Sequence, residues 1–260
     1  MPFVKIPTVR RKLQSSANKF YDSLLSIVYP QACEVCGESV ESRAFGIACE
    51  RCWQTTRVFT DKDTRCWKCG LPSVGFVAPE KREQVRCRRC DHNAFTAARA
   101  CGVYEGSLKA SILALKREPH VCRHLVELLS LAQKQHPLTR VTKIIPVPLH
   151  PKRQKTRGFN QAALLATALS RSNSIILDEG SLVRTSHTEQ HRAGMDARDR
   201  HKTVESAFEV LCPAVIQGER VLLIDDVFTT GATVSSCSRA LLDAGAAEVY
   251  VLTLARPFSY

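Results

Sequence analysis

Short apolar runs alternating with helical periodicity fill the chain beyond Asp91. Val221 to Ile224 (VLLI) is four consecutive apolar residues bounded by charge, too short for a helix and without the alternation of a half-exposed strand. It predicts a strand buried on both faces of a parallel sheet. Lys143 to Val147 (KIIPV) predicts another despite Pro146 near its end, and Ala97 to Tyr104 and Glu248 to Leu254 predict two more. Helical spacing occupies Ser107 to Lys116, His120 to Lys134 and Asn160 to Arg171, and a further helix follows Thr229 to Thr233 and runs to about Ala244. Ile175 to Leu177 and Leu182-Val183 read as short strands. This alternation predicts an α/β fold with a mostly parallel, doubly wound sheet. The polar loop His187 to Lys202 is long enough to predict a lid over a site. Its His187, His191 and His201 are candidate acid/base groups, set against the ordinary role of loop histidines, which is to be solvated.

From Cys33 to Cys90 the pattern is different. One device recurs four times: Cys33-x-x-Cys36, Cys49-x-x-Cys52, Cys66-x-x-Cys69 and Cys87-x-x-Cys90. A CxxC turn lets two thiolates reach one tetrahedral ion, so eight ligands suit two structural zincs. Large apolar residues are sparse between them, and metal binding would supply much of the folding free energy. An all-cysteine shell leaves no open position for a catalytic water. Two successive ribbons, Cys33/Cys36/Cys49/Cys52 and Cys66/Cys69/Cys87/Cys90, or an interleaved cross-brace, satisfy the same spacings. The remaining Cys101, Cys122, Cys212 and Cys237 have no partner spacing and are expected to be small buried apolar side chains.

The chain has 260 residues and a net charge of +12. That length leaves room for one α/β domain of about 150 residues and a smaller unit. The division expected is 1–30, 31–92 and 93–260, with Ser15 to Val28 a short amphipathic helix that packs on the neighbouring domain or, alternatively, touches a membrane. Arg10 to Lys12 and the apolar patch Leu24 to Val28 make neither a membrane span nor a secretory signal, because the patch is too short and no cleavage site succeeds it. A cytoplasmic, reducing setting is expected, which favours metal over disulfides. Lys81, Arg82, Arg86, Arg88 and Arg89 crowd the second cysteine set, where they form either a solvated face or a phosphate-binding patch for nucleic acid.

The candidate chemistry gathers at the end of VLLI. Asp225 and Asp226 follow the apolar run, and Thr229, Thr230, Gly231, Ala232 and Thr233 then supply hydroxyls and an unhindered turn at a helix start. Backbone N–H groups and the helix dipole converge there on an anion. Two carboxylates placed to accept from a vicinal diol, beside a phosphate cradle, describe a ribose 5-phosphate site at the carboxyl end of a sheet. After the KIIPV strand, the loop PLHPKRQKTRGFNQ carries Lys152, Arg153, Lys155 and Arg157. Ligands of open parallel sheets gather at that same edge, so these cations should face the same crevice and suit pyrophosphate.

The diacid and TTGAT stretch resembles the phosphoribosyl pyrophosphate (PRPP) motif of type I phosphoribosyltransferases. Together with Tyr104 to Lys116 (YEGSLKASILALK), Ile145 to Ala162 (IPVPLHPKRQKTRGFNQA), Leu252 to Arg256 (LTLAR) and the paired CxxC ribbons, it resembles the ComF family of competence-associated proteins and the similar GntX proteins. The resemblance implies a type I phosphoribosyltransferase-like domain behind a double zinc ribbon. It implies that Asp225 and Asp226 hold the ribose hydroxyls, that Thr229 to Thr233 bind the 5-phosphate, and that magnesium accompanies PRPP. Arg157, helped by Arg153, would neutralise the leaving pyrophosphate, making Arg157 and Asp226 the expected catalytic residues. Two functions fit: a phosphoribosyltransferase, or a non-catalytic protein that keeps the pocket and binds single-stranded DNA with the uptake machinery. On the metal, the expectation is two zincs per chain in protein purified under reducing conditions without chelator. Elemental analysis returning none would refute it.

Overall fold

The computed structural model describes residues 31–73, 75, 77–185 and 207–258. The expected helix Ser15 to Val28 and the loop His187 to Lys202 with its histidines lie outside them. A six-residue helix, α1 (Glu50–Thr55), belongs to the cysteine-rich region. There follow β1 (Ala97–Val103), α2 (Gly106–Leu115), α3 (Arg123–Gln133), β2 (Lys143–Pro146), α4 (Pro151–Arg157), α5 (Gln161–Asn173), β3 (Ile176–Leu177), β4 (Leu182–Arg184), β5 (Phe208–Val210), α6 (Pro213–Ile216), β6 (Arg220–Val227), α7 (Ala232–Asp243) and β7 (Glu248–Arg256). Five strands form one parallel sheet in the order β1-β7-β6-β2-β3, while β4 and β5 pair antiparallel as a separate ribbon.

The period of two along each strand sorts the core into two layers. Leu222 and Ile224 of β6 and Tyr250, Leu252 and Leu254 of β7 face α2, α3 and α5 through Leu108, Ile112, Leu129, Leu165 and Leu169. Val221, Leu223, Val249 and Val251 face the opposite way, toward Val234, Cys237 and Leu241 of α7 and Ile216 of α6. Covering both faces is what lets these strands be apolar without a break. Each cysteine set joins one layer. Cys33, Cys49, Cys52 and Trp53 pack with the first, whereas Cys66, Cys69, Cys90 and Phe95 pack with the second.

Two elements differ from the sequence expectation. β6 continues through Asp225 and Asp226 to Val227, because the nine-residue β7 goes on pairing where the apolar run stops, Asp225 against Thr253 and Val227 against Ala255. The cation-rich segment expected to be a loop contains α4. Pro151 starts it, the His150 ring accepts from the Lys152 N–H at 3.2 Å, and Gly158 at φ 79° ends it. None of its residues is buried, so it leaves no apolar periodicity to read. Of the four cysteines expected to be buried, Cys101, Cys122 and Cys237 are, but Cys212 is exposed at the start of α6. Among the described residues no helix is long and apolar enough to cross a membrane.

The outer edge of β1 is covered by the cysteine-rich region. Val58 bridges Gly102 antiparallel, Phe59 N–H donates to Cys101 O at 2.7 Å, and Val103 N–H donates to Arg57 O at 2.9 Å. Further along the edge, Ala98 N–H donates to Lys68 O at 2.6 Å. The approach is so close that a Cβ on Gly102 would stand 2.4 Å from Arg57 O and 2.6 Å from Leu108 Cδ1. Gly102→Ala is therefore expected to cost about 1–3 kcal/mol through overpacking. A urea midpoint equal to that of the parent would contradict this docking.

Candidate functional site

The carboxyl end of β6 places Asp225 and Asp226 in a cleft of about 400 Å³. Asp225 accepts the N–H of Asp226 on Oδ1 at 2.8 Å. Burial, reinforced by the charge of Asp226, pushes the Asp225 carboxyl up to about 7, against the opposing pull of that N–H and of Lys116. Lys116, at the C-terminal cap of α2, sets its Nζ 3.3 Å from Asp226 Oδ2.

The turn after β6 is held from below. Phe228 is buried and meets Phe95 edge-on, with ring centroids 5.9 Å apart. Gly231 caps α7 at φ 83°, and a Cβ there would lie 2.8 Å from the Phe228 ring, so both conformation and space require glycine. Thr230 Oγ1 accepts the Ala232 N–H at 3.3 Å. Thr229 and Thr233 line the cleft, while Thr230, Gly231 and Ala232 shape the turn beside it. A twelve-residue helix, α7, begins there with its free N–H groups and positive dipole end.

The opposite wall comes from α4 and the start of α5. Arg153 and Arg157, four residues apart on one helical face, both line the cleft. Arg157 Nη1 donates to Gln161 Oε1 at 2.6 Å. Asn160 joins helix to strand, its amide donating to Val147 O and its Oδ1 accepting the Ala162 N–H, each at 3.0 Å. Lys155 instead borders an adjoining hollow of about 560 Å³, and Lys152 lines neither. Two of the four cations therefore meet the diacid and the threonine turn.

Sequence reasoning missed Tyr104, Lys116, Asn160 and Arg184, all of which line the cleft. Lys116 ends the YEGSLKASILALK block, whose helical spacing says nothing about what its last residue reaches. Arg184 stands at the end of a three-residue strand too short to carry a pattern.

The eight CxxC cysteines form two clusters, Cys33/Cys36/Cys49/Cys52 and Cys66/Cys69/Cys87/Cys90, each with all four Sγ atoms within 4.8 Å of one another. The grouping is sequential rather than interleaved. Cys36 and Cys49 stand 3.7 Å apart, Cys66 and Cys90 3.7 Å, and Cys69 and Cys87 3.5 Å. A tetrahedral ion with bonds of about 2.3 Å spaces its sulfurs about 3.8 Å apart, so both clusters fit zinc. Backbone N–H groups of Cys49 and Cys87 point at Cys33 Sγ and Cys66 Sγ, each at 3.3 Å, as thiolates require. Beside the second cluster, Lys81, Arg86, Arg88 and Arg89 are exposed, while Arg82 is held by the carbonyls of Asp61 and Val77.

Residues 24–102 match the Double zinc ribbon domain family. The chain is 34% identical to the DNA utilization protein YhgH of Escherichia coli (strain K12) over 238 residues, covering 88% of this chain and 99% of that protein. It is 41% identical over 142 residues to Competence protein F of Haemophilus influenzae, covering 52% of this chain and 60% of that one. Among solved structures, a glutamine PRPP amidotransferase from B. subtilis has a TM-score of 0.35 and 20% identity, over 49% of this chain and 25% of that chain.

Asp225 makes stability depend on pH. Its folded pKa, about 7, lies above the ordinary 3.8, so the folded chain holds a proton that the unfolded chain has released. Stability then falls as pH rises from the unfolded value through the folded one. The parent is expected to lose on the order of 1 kcal/mol relative to Asp225→Asn between about pH 6 and about pH 8, read from urea midpoints. Parallel pH profiles would contradict the assignment.

Proposed function

The chain belongs to the family of the DNA utilization protein YhgH and the competence proteins F and ComFC, and on that premise we propose that it binds PRPP in the cleft at the end of β6. One observation carries the reading: a carboxylate pair, a threonine-glycine turn opening a helix, and two arginines meet in one cleft. An anionic sugar with a phosphate at each end needs those three groups. Asp225 and Asp226 accept from the 2- and 3-hydroxyls of the ribose. The N–H groups and hydroxyls of Thr229 to Thr233 take the 5-phosphate at the start of α7. Arg153 and Arg157 face the pyrophosphate.

As a phosphoribosyltransferase, the site would break the bond between the anomeric carbon and the pyrophosphate oxygen, the electron pair leaving with pyrophosphate. The acceptor's lone pair forms the new bond, and the acceptor then loses its proton. Asp226, beside the sugar, stabilises positive charge developing on the ring, and Arg157, aimed by Gln161, takes up negative charge on the leaving group. Magnesium suits the hard oxygen donors of Asp225 and Asp226 beside ligand phosphates, and when bound it would neutralise pyrophosphate charge. The reading is of a cytoplasmic protein divided at about residues 30 and 92, in which a reducing setting keeps eight thiolates for zinc.

A second role is favoured by the exposed Lys81, Arg86, Arg88 and Arg89, which suit phosphates of single-stranded DNA handled alongside an uptake machinery. Calorimetry separates the two. Asp225→Asn with Asp226→Asn replaces two charge-assisted acceptors, worth roughly 1.5–3 kcal/mol each, by neutral amide oxygens that keep part of that, so affinity for PRPP with magnesium should fall by about tenfold to a hundredfold or more. Binding of single-stranded DNA by the same variant should persist and weaken steeply with salt. A folded double variant that binds PRPP as the parent does would overturn the site, and salt-independent DNA binding would overturn the phosphate patch.

A further inference from the structure

We infer that Lys116 is a ligand-binding residue of the cleft and that the first four-cysteine ribbon sets it there, so that the metal-bound ribbon governs the affinity of the cleft for a phosphorylated sugar. The inference rests on the PRPP reading of the cleft. Lys116 ends α2, and α2 is fastened to that ribbon along its length. At its start, the Ser107 N–H donates to Thr56 Oγ1 at 3.1 Å, and the same hydroxyl donates to the carbonyl of Cys52 at 2.8 Å. Gly106, at φ 48°, lets the backbone come this close, since a Cβ there would lie 3.1 Å from Thr56 Oγ1. Along the helix, Leu108, Ile112 and Leu115 share one core with Cys33, Cys49, Cys52 and Trp53. At its end, Arg117 Nη2 pairs with Glu34 Oε1 at 2.6 Å, and Glu34 stands between Cys33 and Cys36.

Two neighbouring cations thus point to different partners. Arg117 is tied to the knuckle of the ribbon, and Lys116 reaches 3.3 Å from Asp226. The ammonium offsets one of two adjacent carboxylates. Once the ribose hydroxyls donate to those carboxylates, the flexible four-carbon stem carries the ammonium to a phosphate oxygen of the same ligand. Two of the fastenings fall on Thr56, whose hydroxyl donates to Cys52 O, and on Glu34, which lies between Cys33 and Cys36 in the chain and donates its N–H to Ile47 O. These two are positioning residues, acting through Lys116.

The test is a double-mutant cycle on the full zinc-loaded chain, read as PRPP affinity with magnesium by calorimetry. Lys116→Gln should weaken binding about tenfold or more, and Lys116→Arg should restore part of the loss. Glu34→Gln combined with Thr56→Val should weaken binding severalfold in the parent but add nothing in the Lys116→Gln background, with two zincs retained. A Lys116→Gln variant that binds as the parent does, or a ribbon-side loss of equal size in both backgrounds, would overturn the inference. Acylation of Lys116 by acetic anhydride, followed by mass spectrometry, reads the positioning without PRPP. It should rise severalfold in the Glu34→Gln, Thr56→Val variant, and an unchanged rate refutes the coupling. A parent chain that binds no PRPP would bring down the reading of the cleft and the ligand role of Lys116, while acylation would still decide the coupling.

Discussion

Two adjacent carboxylates at the end of a strand bonded on both sides are the constraint around which the other parts are arranged. β6 pairs with β2 along one edge and with β7 along the other, and Val221 to Ile224 have no exposed surface. Asp225 and Asp226 therefore have little backbone freedom. Placing like charges side by side at the edge of an apolar layer is unfavourable, and the chain offsets that with an N–H from its own backbone and the ammonium of Lys116. The gain is pre-organisation. A ligand that brings hydroxyls to this pair meets acceptors already fixed, and less ordering entropy is lost on binding.

The cysteine-rich region is joined to the sheet rather than appended to it. One four-cysteine cluster belongs to each layer, and the chain leaving the first cluster runs along β1 before the second begins. Arg99, buried within β1, donates to Trp67 O, and Arg256 at the end of β7 donates to Cys69 O. Burial lowers the pKa of Arg99 to about 10, which still leaves it charged at neutral pH. These long side chains carry the second cluster on the sheet much as Thr56 and Glu34 tie the first to α2.

Much of this was legible in the residues. Runs such as VLLI and KIIPV identify strands because burial on both faces leaves no room for polar alternation, and four CxxC turns identify metal sites because the chemistry of thiolates leaves few other uses. The interleaved alternative was closed only by distances between sulfurs. The extension of β6 through Val227 escaped notice because Asp225 and Asp226 are poor strand formers held by β7, a partner that lies beyond α7 in the chain. α4 escaped because a helix with no buried residue carries no periodic signal. Lys116 escaped for a different reason: its role depends on where the end of α2 points, which is a property of packing and not of spacing.

The covered edge of β1 has a consequence for how the protein ages. Every residue of β1 is buried, and its outward N–H and C=O groups at Ala98 and from Cys101 to Val103 are satisfied by segments adjoining the two four-cysteine clusters. At the other side of the sheet the last strand, β3, is only two residues long and offers little template for another chain. The sheet thus has one short edge and one long edge closed by segments that adjoin the two four-cysteine clusters. Oxidation or chelation of the clusters would uncover a seven-residue strand, apolar or small at every position but Arg99, with free hydrogen-bonding groups, the kind of surface that recruits further copies into aggregates and attracts chaperones and proteases. Metal supply and redox balance would then set not only whether the chain folds but how long a folded copy persists.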